Sequence, residues 1–365
     1  MSIISPLNKR FINRVIPFGI FFIIAGVIYL LLEKGILGDS KFYPSTKNPY
    51  NLNSSIIITL VSATLFGLLI GSFEVLYFNK FFSSKSFLKK IIYKISFYLS
   101  IVVFFLICTA SVSFMVEFDT NILDENVWIN LQNFITNLAF LSVILYIITI
   151  IGISLFYLEV SDNIGQEVLF NFFTGKYHKP IEEERIFMFL DMKSSTTIAE
   201  KLGHVKYFEM LATYYADISD AIVQHAGLVY QYVGDEIVVS WNLQKGLKKD
   251  NCIRCFYAME EALKKQSTKY LKEFGVLPTF KAGFHYGMIT AGEIGTIKKD
   301  IVFTGDVLNT TARIQGLCNS YDVATLISEI LVQKLKENSS DFTFKSLGNT
   351  SLRGKNEQME LYTII

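Results

Sequence analysis

The stretch VYQYVGDEIVVSW, residues 229–241, sets two runs of β-branched and aromatic residues on either side of Gly234, Asp235 and Glu236. Runs of that kind read as two strands folded back on each other across a tight turn. A turn needs one polar residue to satisfy its backbone, yet this one carries two carboxylates beside its glycine. The glycine provides for the turn. Asp235 is therefore free to be held out at the strand ends, with Glu236 expected to point away from it.

Outward from the hairpin, strands and helices alternate. RIFMFLDM (185–192) reads as a strand and SSTTIAEKLG as the opening of a helix. Residues 204–227 form a long amphipathic helix whose apolar face is expected to carry Phe208, Leu211, Tyr215, Ile218 and Ile222. A helix over about 249–273 follows, then a strand pair within FKAGFHYGMITAGEIG and a strand–helix pair in DIVFTGDVLNTTARIQGL. The order β–α–β–β–α–β predicts an α+β, ferredoxin-like domain over 183–365, long enough for one self-contained core.

The first half of the chain is different in kind. The whole is 51% hydrophobic and 18% charged, and the excess lies in four runs, at about 15–32, 55–78, 95–116 and 135–158. A bilayer core is crossed by roughly 20 apolar residues in a helix, so residues 1–158 are expected to form four transmembrane helices. No small-residue cleavage site follows the first run, which argues against a signal peptide. Lys9, Arg10 and Arg14 precede the first run, and Lys80, Lys85, Lys89, Lys90 and Lys94 fill the second connection. Glu117, Asp119, Asp124 and Glu125 occupy the third. This asymmetry predicts a multi-pass protein of the cell membrane with both termini cytoplasmic. The outer loops, about 34–54 and 117–134, are too short for a folded sensory domain. Glu74 is the one clearly ionisable residue inside the runs and is expected to snorkel to the interface, near Lys94. Residues 159–182 read as a connecting helix and linker, broken at Thr174–Gly175.

The net charge of +1 gives no basis for a nucleic-acid partner. The C-x-x-C pair Cys252 and Cys255 has no second Cys or His pair to complete a zinc site, so both are expected to be reduced core thiols.

Asp191 ends the first strand of this second half, and Ser194, Ser195 and Thr196 open the next helix. A helix start offers unpaired N–H groups and a dipole that favours phosphate. A carboxylate beside it is either a helix cap or a place where a cation bridges protein to phosphate. Asp235 shifts the balance to the cation. In a ferredoxin-like core the two strand ends lie side by side, and two carboxylates there can hold two cations about 4 Å apart.

Taken in order, FLDMKSST (189–196), VGDEIVV (233–239), GDVLNTTARIQ (305–315) and LRGK (352–355) resemble the successive signatures of the class III adenylate/guanylate cyclase catalytic domain. The resemblance covers about residues 183–365. It implies cyclisation of a nucleoside triphosphate with two Mg²⁺ or Mn²⁺ ions per site. Asp191 and Asp235 match the metal-binding aspartates, with the Met192 carbonyl as a further ligand. Asn309 matches the residue that orients the ribose, and Arg313 the arginine that stabilises charge on the α-phosphate. Arg353 stands at the position of a phosphate-binding lysine. Because metal ligands and the Asn/Arg pair belong to opposite domains in this family, the resemblance implies a homodimer. Gln231 and Val302 occupy the base-selecting positions and match neither the adenylate nor the guanylate pattern. Gln231 can donate or accept, and Val302 leaves its contact to a backbone carbonyl. Ser195 replaces a motif phenylalanine. ATP is the expected substrate, with GTP or a pyrimidine triphosphate as alternatives, and a catalytically inactive receptor is the reading from another class. The membrane half leaves open a ligand or partner that the sequence does not identify.

Overall fold

The computed structural model describes residues 5–42, 50–78, 81, 85–352 and 358–365. It divides the chain into two compact units, Arg10–Leu169 and Phe170–Ile365 with Met1–Lys9.

The first unit is helical. Four helices are long and apolar enough to cross a membrane: α1 (Pro6–Leu37), α2 (Leu52–Phe73, extended by a π-helical turn to Phe78), α3 (Phe87–Phe118) and α5 (Leu138–Ile164). Between the last two lies α4 (Glu125–Thr136), capped by the Asp124 carboxylate, which accepts from the Asn126 N–H. The third connection, read as a loop too short for a sensory domain, thus contains a 12-residue helix. Val127 and Leu131, four apart, bury its inner face.

Glu74 corrects the expectation of snorkelling. It is fully buried, and its carboxylate accepts from Lys94 Nζ and, at 2.9 Å, from the Tyr98 hydroxyl. Lys94 is itself only 2% exposed. Two further ion pairs involve this end of the unit, Lys90–Glu159 at 2.7 Å and Arg14–Asp162. Charge is tolerated here because each carboxylate meets a cation on another helix rather than lipid. The π-turn begins at Glu74 itself. A helix accepts such a distortion where a side chain must be re-aimed.

The second unit is built on one mixed sheet. Its elements are α6 (Gln166–Thr174, shared with the unit boundary), β1 (Ile181–Met192), α7 (Ser195–Leu202), α8 (His204–Gln224), β2 (Leu228–Val233), β3 (Glu236–Asn242), α9 (Leu243–Leu247), α10 (Asn251–Lys265), α11 (Ser267–Phe274), β4 (Phe280–Ile294), β5 (Asp300–Thr304), α12 (Asp306–Gly316), β6 (Thr325–Ser328), α13 (Glu329–Glu337), β7 (Phe344–Ser351) and β8 (Gln358–Ile364). Spatial order is β2-β3-β1-β4-β6-β8-β7, with β5 paired to β4. The segment β2-β3-β1-β4 is the antiparallel ferredoxin-like core, and β6 to β8 extend it.

Strand β1 is central. Six consecutive residues, Arg185 to Leu190, are buried, the pattern of a strand covered on both faces. Ile186, Met188 and Leu190 face a large core with Met210, Tyr214 and Ile218 of α8 and Phe256 of α10. Phe187 and Phe189 face a smaller one with Phe303 and Val307. Cys252 and Cys255 are both buried free thiols.

Two readings of this half need correction. FKAGFHYGMITAGEI (280–294) is one continuous 15-residue strand, because it pairs with β1 from Phe280 to Ala291 and with β5 from Thr290 to Ile294. Phe208 is 72% exposed rather than on the packed face of α8, which instead buries Met210, Leu211, Tyr214, Ile218, Ala221 and Ile222.

The buried ion pair yields a prediction. Glu74→Leu strands Lys94 without its partner and lowers stability in detergent by roughly 3–5 kcal/mol. The double variant Glu74→Leu/Lys94→Leu recovers most of that loss, measured by thermal unfolding.

Candidate active site

The two strand ends meet as expected. In the β2–β3 hairpin Val233 pairs with Glu236, leaving Gly234 and Asp235 as a two-residue turn. Gly234 has φ +63°, a left-handed conformation that costs a residue with a Cβ. The hairpin is anchored from α8: the Tyr215 hydroxyl donates to the Gly234 carbonyl at 2.8 Å and lies 3.3 Å from that of Glu236. Its ring lies 4.5 Å from that of Tyr232. Tyr215 entered the sequence reading only as an apolar residue. Its hydroxyl fixes the turn that bears Asp235.

Asp191 sits at the end of β1, half-buried, one residue before the buried Met192. Leu190 pairs with Ile237 and Val233 with Glu236, so the end of β1 stands beside the turn that carries Asp235. Burial, and then the hydrogen bond and charge of Asp235, push Asp191 up to about 6; the Met192 N–H and the Gln315 side chain act the other way. Glu236 is also half-buried, and burial together with the Asp191 and Asp235 charges raises its pKa. Carboxylates gathered in this way repel one another until a proton or a cation neutralises them.

Asp191 does not cap a helix. The N-cap of α7 is Ser194, at φ +55° with no side-chain capping bond. Ser195 is half-buried, and Ser194 and Thr196 are exposed at the same helix start. The three residues thus stand close in sequence to Asp191, at a helix end whose capping side chain is unused.

Asn309 and Arg313 lie one turn apart on α12, exposed and half-buried respectively. Neither side chain makes a hydrogen bond among the described residues. Gln231 is exposed on β2, and Val302 is half-buried on β5, opposite Gly292. Their neighbours do meet: the rings of Tyr230 and Phe303 stack at 4.7 Å and 10°, and the Phe303 N–H donates to the Tyr230 hydroxyl at 3.1 Å. A bulge between Val229 and Gln231 frees Tyr230 for that stack. Arg353 lies outside the described residues.

The donor set fits divalent cations of the Mg²⁺ class. Asp191, whose pKa is raised, faces Asp235, and no cluster of three or more His, Cys, Asp or Glu completes a protein cage among the described residues. Mg²⁺ is characteristically bound in that way, through one or two carboxylates with substrate phosphates supplying the rest.

A ferredoxin-like sheet that holds two carboxylates at adjacent strand ends defines a domain suited to metal-assisted phosphate chemistry. The chain belongs to the adenylate and guanylate cyclase catalytic domain family, whose family model matches residues 177–365, over half of the chain. It is similar to adenylate cyclase 2 of Rhizobium meliloti, 32% identical over 224 residues that cover 61% of each protein. Adenylate cyclase 1 of the same organism is 27% identical over 184 residues, 49% of this chain and 27% of that one. The chain therefore spans less than two thirds of the length of these relatives. Among solved structures, a bacterial light-regulated adenylyl cyclase shares the fold, with TM-score 0.52 and 22% identity over 63% of this chain and 65% of that one.

The facing carboxylates give a prediction with a definite sign. A carboxyl whose folded pKa exceeds its unfolded value binds its proton more tightly when folded, so stability is lost as pH rises. For Asp191 the loss begins above the ordinary 3.8 and is complete past about 6. Without divalent cations, Asp235→Asn raises the unfolding temperature by ~2–4 °C at about pH 7.5 and has little effect near pH 4. Differential scanning calorimetry on the cation-free protein checks this.

Proposed function

We propose that the protein is a membrane-bound adenylate cyclase that converts ATP to 3′,5′-cyclic AMP and pyrophosphate at a homodimer interface. The observation that carries this reading is the Asp191–Asp235 pair at adjacent strand ends, within a chain of the cyclase family. Asp191, Asp235 and the Met192 carbonyl would hold two Mg²⁺ or Mn²⁺ ions, which acidify the ribose 3′-hydroxyl and neutralise the triphosphate. The 3′-oxygen attacks the α-phosphorus, its proton leaves, and the bond to the pyrophosphate oxygen breaks. Ser194, Ser195, Thr196 and Arg353 are assigned to the phosphates, with arginine offering a fork where the family uses a point charge. Asn309 orients the ribose. Arg313 stabilises charge that grows on the α-phosphate oxygens only as the transition state forms.

The dimer is supported by two features. The side chains of Asn309 and Arg313 make no hydrogen bond with described residues of their own chain, and Val205, Phe208, Tyr232 and Val233 are all at least half exposed. A second copy of this chain would take up both, with metal ligands from one protomer and the Asn/Arg pair from the other. The four apolar helices anchor the enzyme in the lipid bilayer with both termini in the cytoplasm. They leave room for a membrane ligand or partner that regulates it. Gln231 and Val302 are assigned to the base, where the neutral amide of Gln231 pairs with either purine pattern and ATP is the expected choice.

Full-length protein incubated with ATP, GTP, CTP and UTP together and Mn²⁺ is expected to yield cyclic AMP as the dominant cyclic product by mass spectrometry. A different cyclic nucleotide would change the substrate and keep the chemistry. No product from a confirmed dimer would favour an inactive, nucleotide-binding receptor. Asp235→Ala abolishes turnover.

Complementation tests the shared site. Asp235→Ala and Arg313→Ala chains are each inactive alone. Mixed, they recover about a quarter of wild-type activity, since half the dimers are mixed and each holds one intact site of two. No recovery would exclude the shared arrangement.

A further inference from the structure

We infer that α4 is an interfacial helix whose outer face rests on the lipid bilayer; this builds on α3 and α5 as membrane spans and is independent of the enzyme reading. The starting point is how α4 is attached. Asn137 ends it and begins α5 at the same time: its N–H donates to the Phe134 carbonyl, and its side chain accepts from the Ala139 N–H at 2.9 Å. At the other end only residues 119–124 separate α4 from α3. Asp119 closes α3 in a left-handed conformation at φ +47°, and Asp124 caps α4. A helix tied this closely to the ends of two spans lies where hydrocarbon gives way to water.

The side chains sort by that boundary. At about 100° per residue, Val127, Leu131, Ile135 and Trp128 fall within an arc of roughly 100° around α4. Asn126, Asn130 and Asn133 group within about 60° on the far side. Protein covers only one edge of the apolar arc: Val127 and Leu131 are buried, whereas Trp128 is 54% exposed and Ile135 is exposed with it. A shallow groove of about 380 Å³ runs along this face, lined by Trp128, Leu131, Gln132 and Ile135 among others. Leu123 just before the helix and Leu138 just after it are bare as well. Left in water, such a face is unfavourable in proportion to its apolar area.

Lipid suits this face better than a second chain. α4 contains no Lys or Arg and a single carboxylate, Glu125, so it offers no charge pattern for a protein partner to read. Its apolar face continues the bare sides of the adjoining spans, where Val116 of α3 and Leu141 of α5 are exposed. Tryptophan favours this level of a membrane, with its ring among acyl chains and its N–H toward the headgroups. The asparagine edge is then left to water. A helix of this kind sinks its apolar face about 5–10 Å into the boundary between headgroups and acyl chains. At that depth it holds the ends of α3 and α5 at one level in the bilayer.

The chain has two tryptophans, Trp128 and Trp241, and Trp241 is 1% exposed within the core of the catalytic unit. Full-length protein is reconstituted into phosphatidylcholine vesicles brominated near the headgroup, midway along the acyl chain or near its end, with Trp128→Phe as the blank. The fluorescence contributed by Trp128 is expected to fall at least about twofold with the shallow label and progressively less with the deeper ones. The blank shows no dependence on depth. Flat emission with every label would overturn the inference, whether aqueous acrylamide then reaches Trp128, as for a face in water, or does not, as for a face covered by a second copy or another protein. Strongest quenching at the chain ends would overturn it too, since the helix would then be embedded. So would failure of Trp128→Phe to fold, which would make Trp128 a packing residue. Flotation separates the two readings. Protein that does not float with the vesicles removes the membrane spans and the inference together. Protein that floats while Trp128 escapes quenching removes the inference alone.

Discussion

Two carboxylates held against each other at the end of a buried strand are the constraint on which the catalytic half depends. Asp191 lies at the end of β1 and Asp235 in the turn that leads into β3, and their mutual repulsion opposes the pairing that joins β1 to β3. The fold tolerates it because both are fixed from outside the pair. Tyr215 grips the hairpin turn through two backbone carbonyls. β1 is locked by register on both sides, to β3 from Arg185 to Leu190 and to β4 along all of its length. Strain of this kind persists only where the surroundings over-determine the geometry.

Much of this was legible in the sequence. The hairpin, the strand ending in Asp191 and the apolar runs each announce themselves through periodicity and turn chemistry, which are local. What stayed hidden depends on partners remote in the chain. The charge of Lys94 marks it as a neighbour for Glu74, but nothing near Glu74 discloses that the pair will be buried and joined by the Tyr98 hydroxyl. Tyr215 reads as apolar because five of its six ring carbons are so, while its function lies in one hydroxyl. Phe208 misleads in the other direction. Its helical spacing fits the buried stripe of α8, yet it stands exposed near the start of that helix, where a second chain rather than the core can cover it.

The ion pairs of the helical unit obey the same logic as the facing carboxylates with opposite sign. Glu74 and Lys94 are placed where solvent cannot reach them, the other two pairs keep some exposure, and each group is matched to a partner on a different helix. Isolated, Glu74 would be expelled from an apolar bundle. Paired with Lys94 and hydrogen-bonded to Tyr98, it joins α2 to α3, while Lys90–Glu159 joins α3 to α5 and Arg14–Asp162 joins α1 to α5. Apolar helices in lipid have no hydrophobic drive to choose one another. Complementary charges supply a choice of neighbour and of register.

Within the catalytic unit, the segment that leads into β1 belongs to the core. Tyr177 is 3% exposed and packs in the same cluster as Phe187, Phe303 and Val307. Its carbonyl accepts from the Glu293 N–H at 3.0 Å, and His178 Nδ1 lies 2.8 Å from the Glu293 carboxylate. Glu183 binds Lys176 at 2.7 Å and Arg185 at 2.9 Å; burial works to raise its pKa, but those hydrogen bonds hold it below the ordinary value. Arg185 in turn lies 4.6 Å over the ring of Phe303, which stacks on Tyr230. One small apolar cluster thus joins the entry segment, the Tyr230–Phe303 stack between Gln231 and Val302, and, through Val307, the first turn of α12. Packed interiors respond to displacement by moving between discrete arrangements rather than by yielding gradually. A shift of Tyr177 cannot be absorbed locally, because the side chains it touches are the ones that seat the helix carrying Asn309, Arg313 and Gln315.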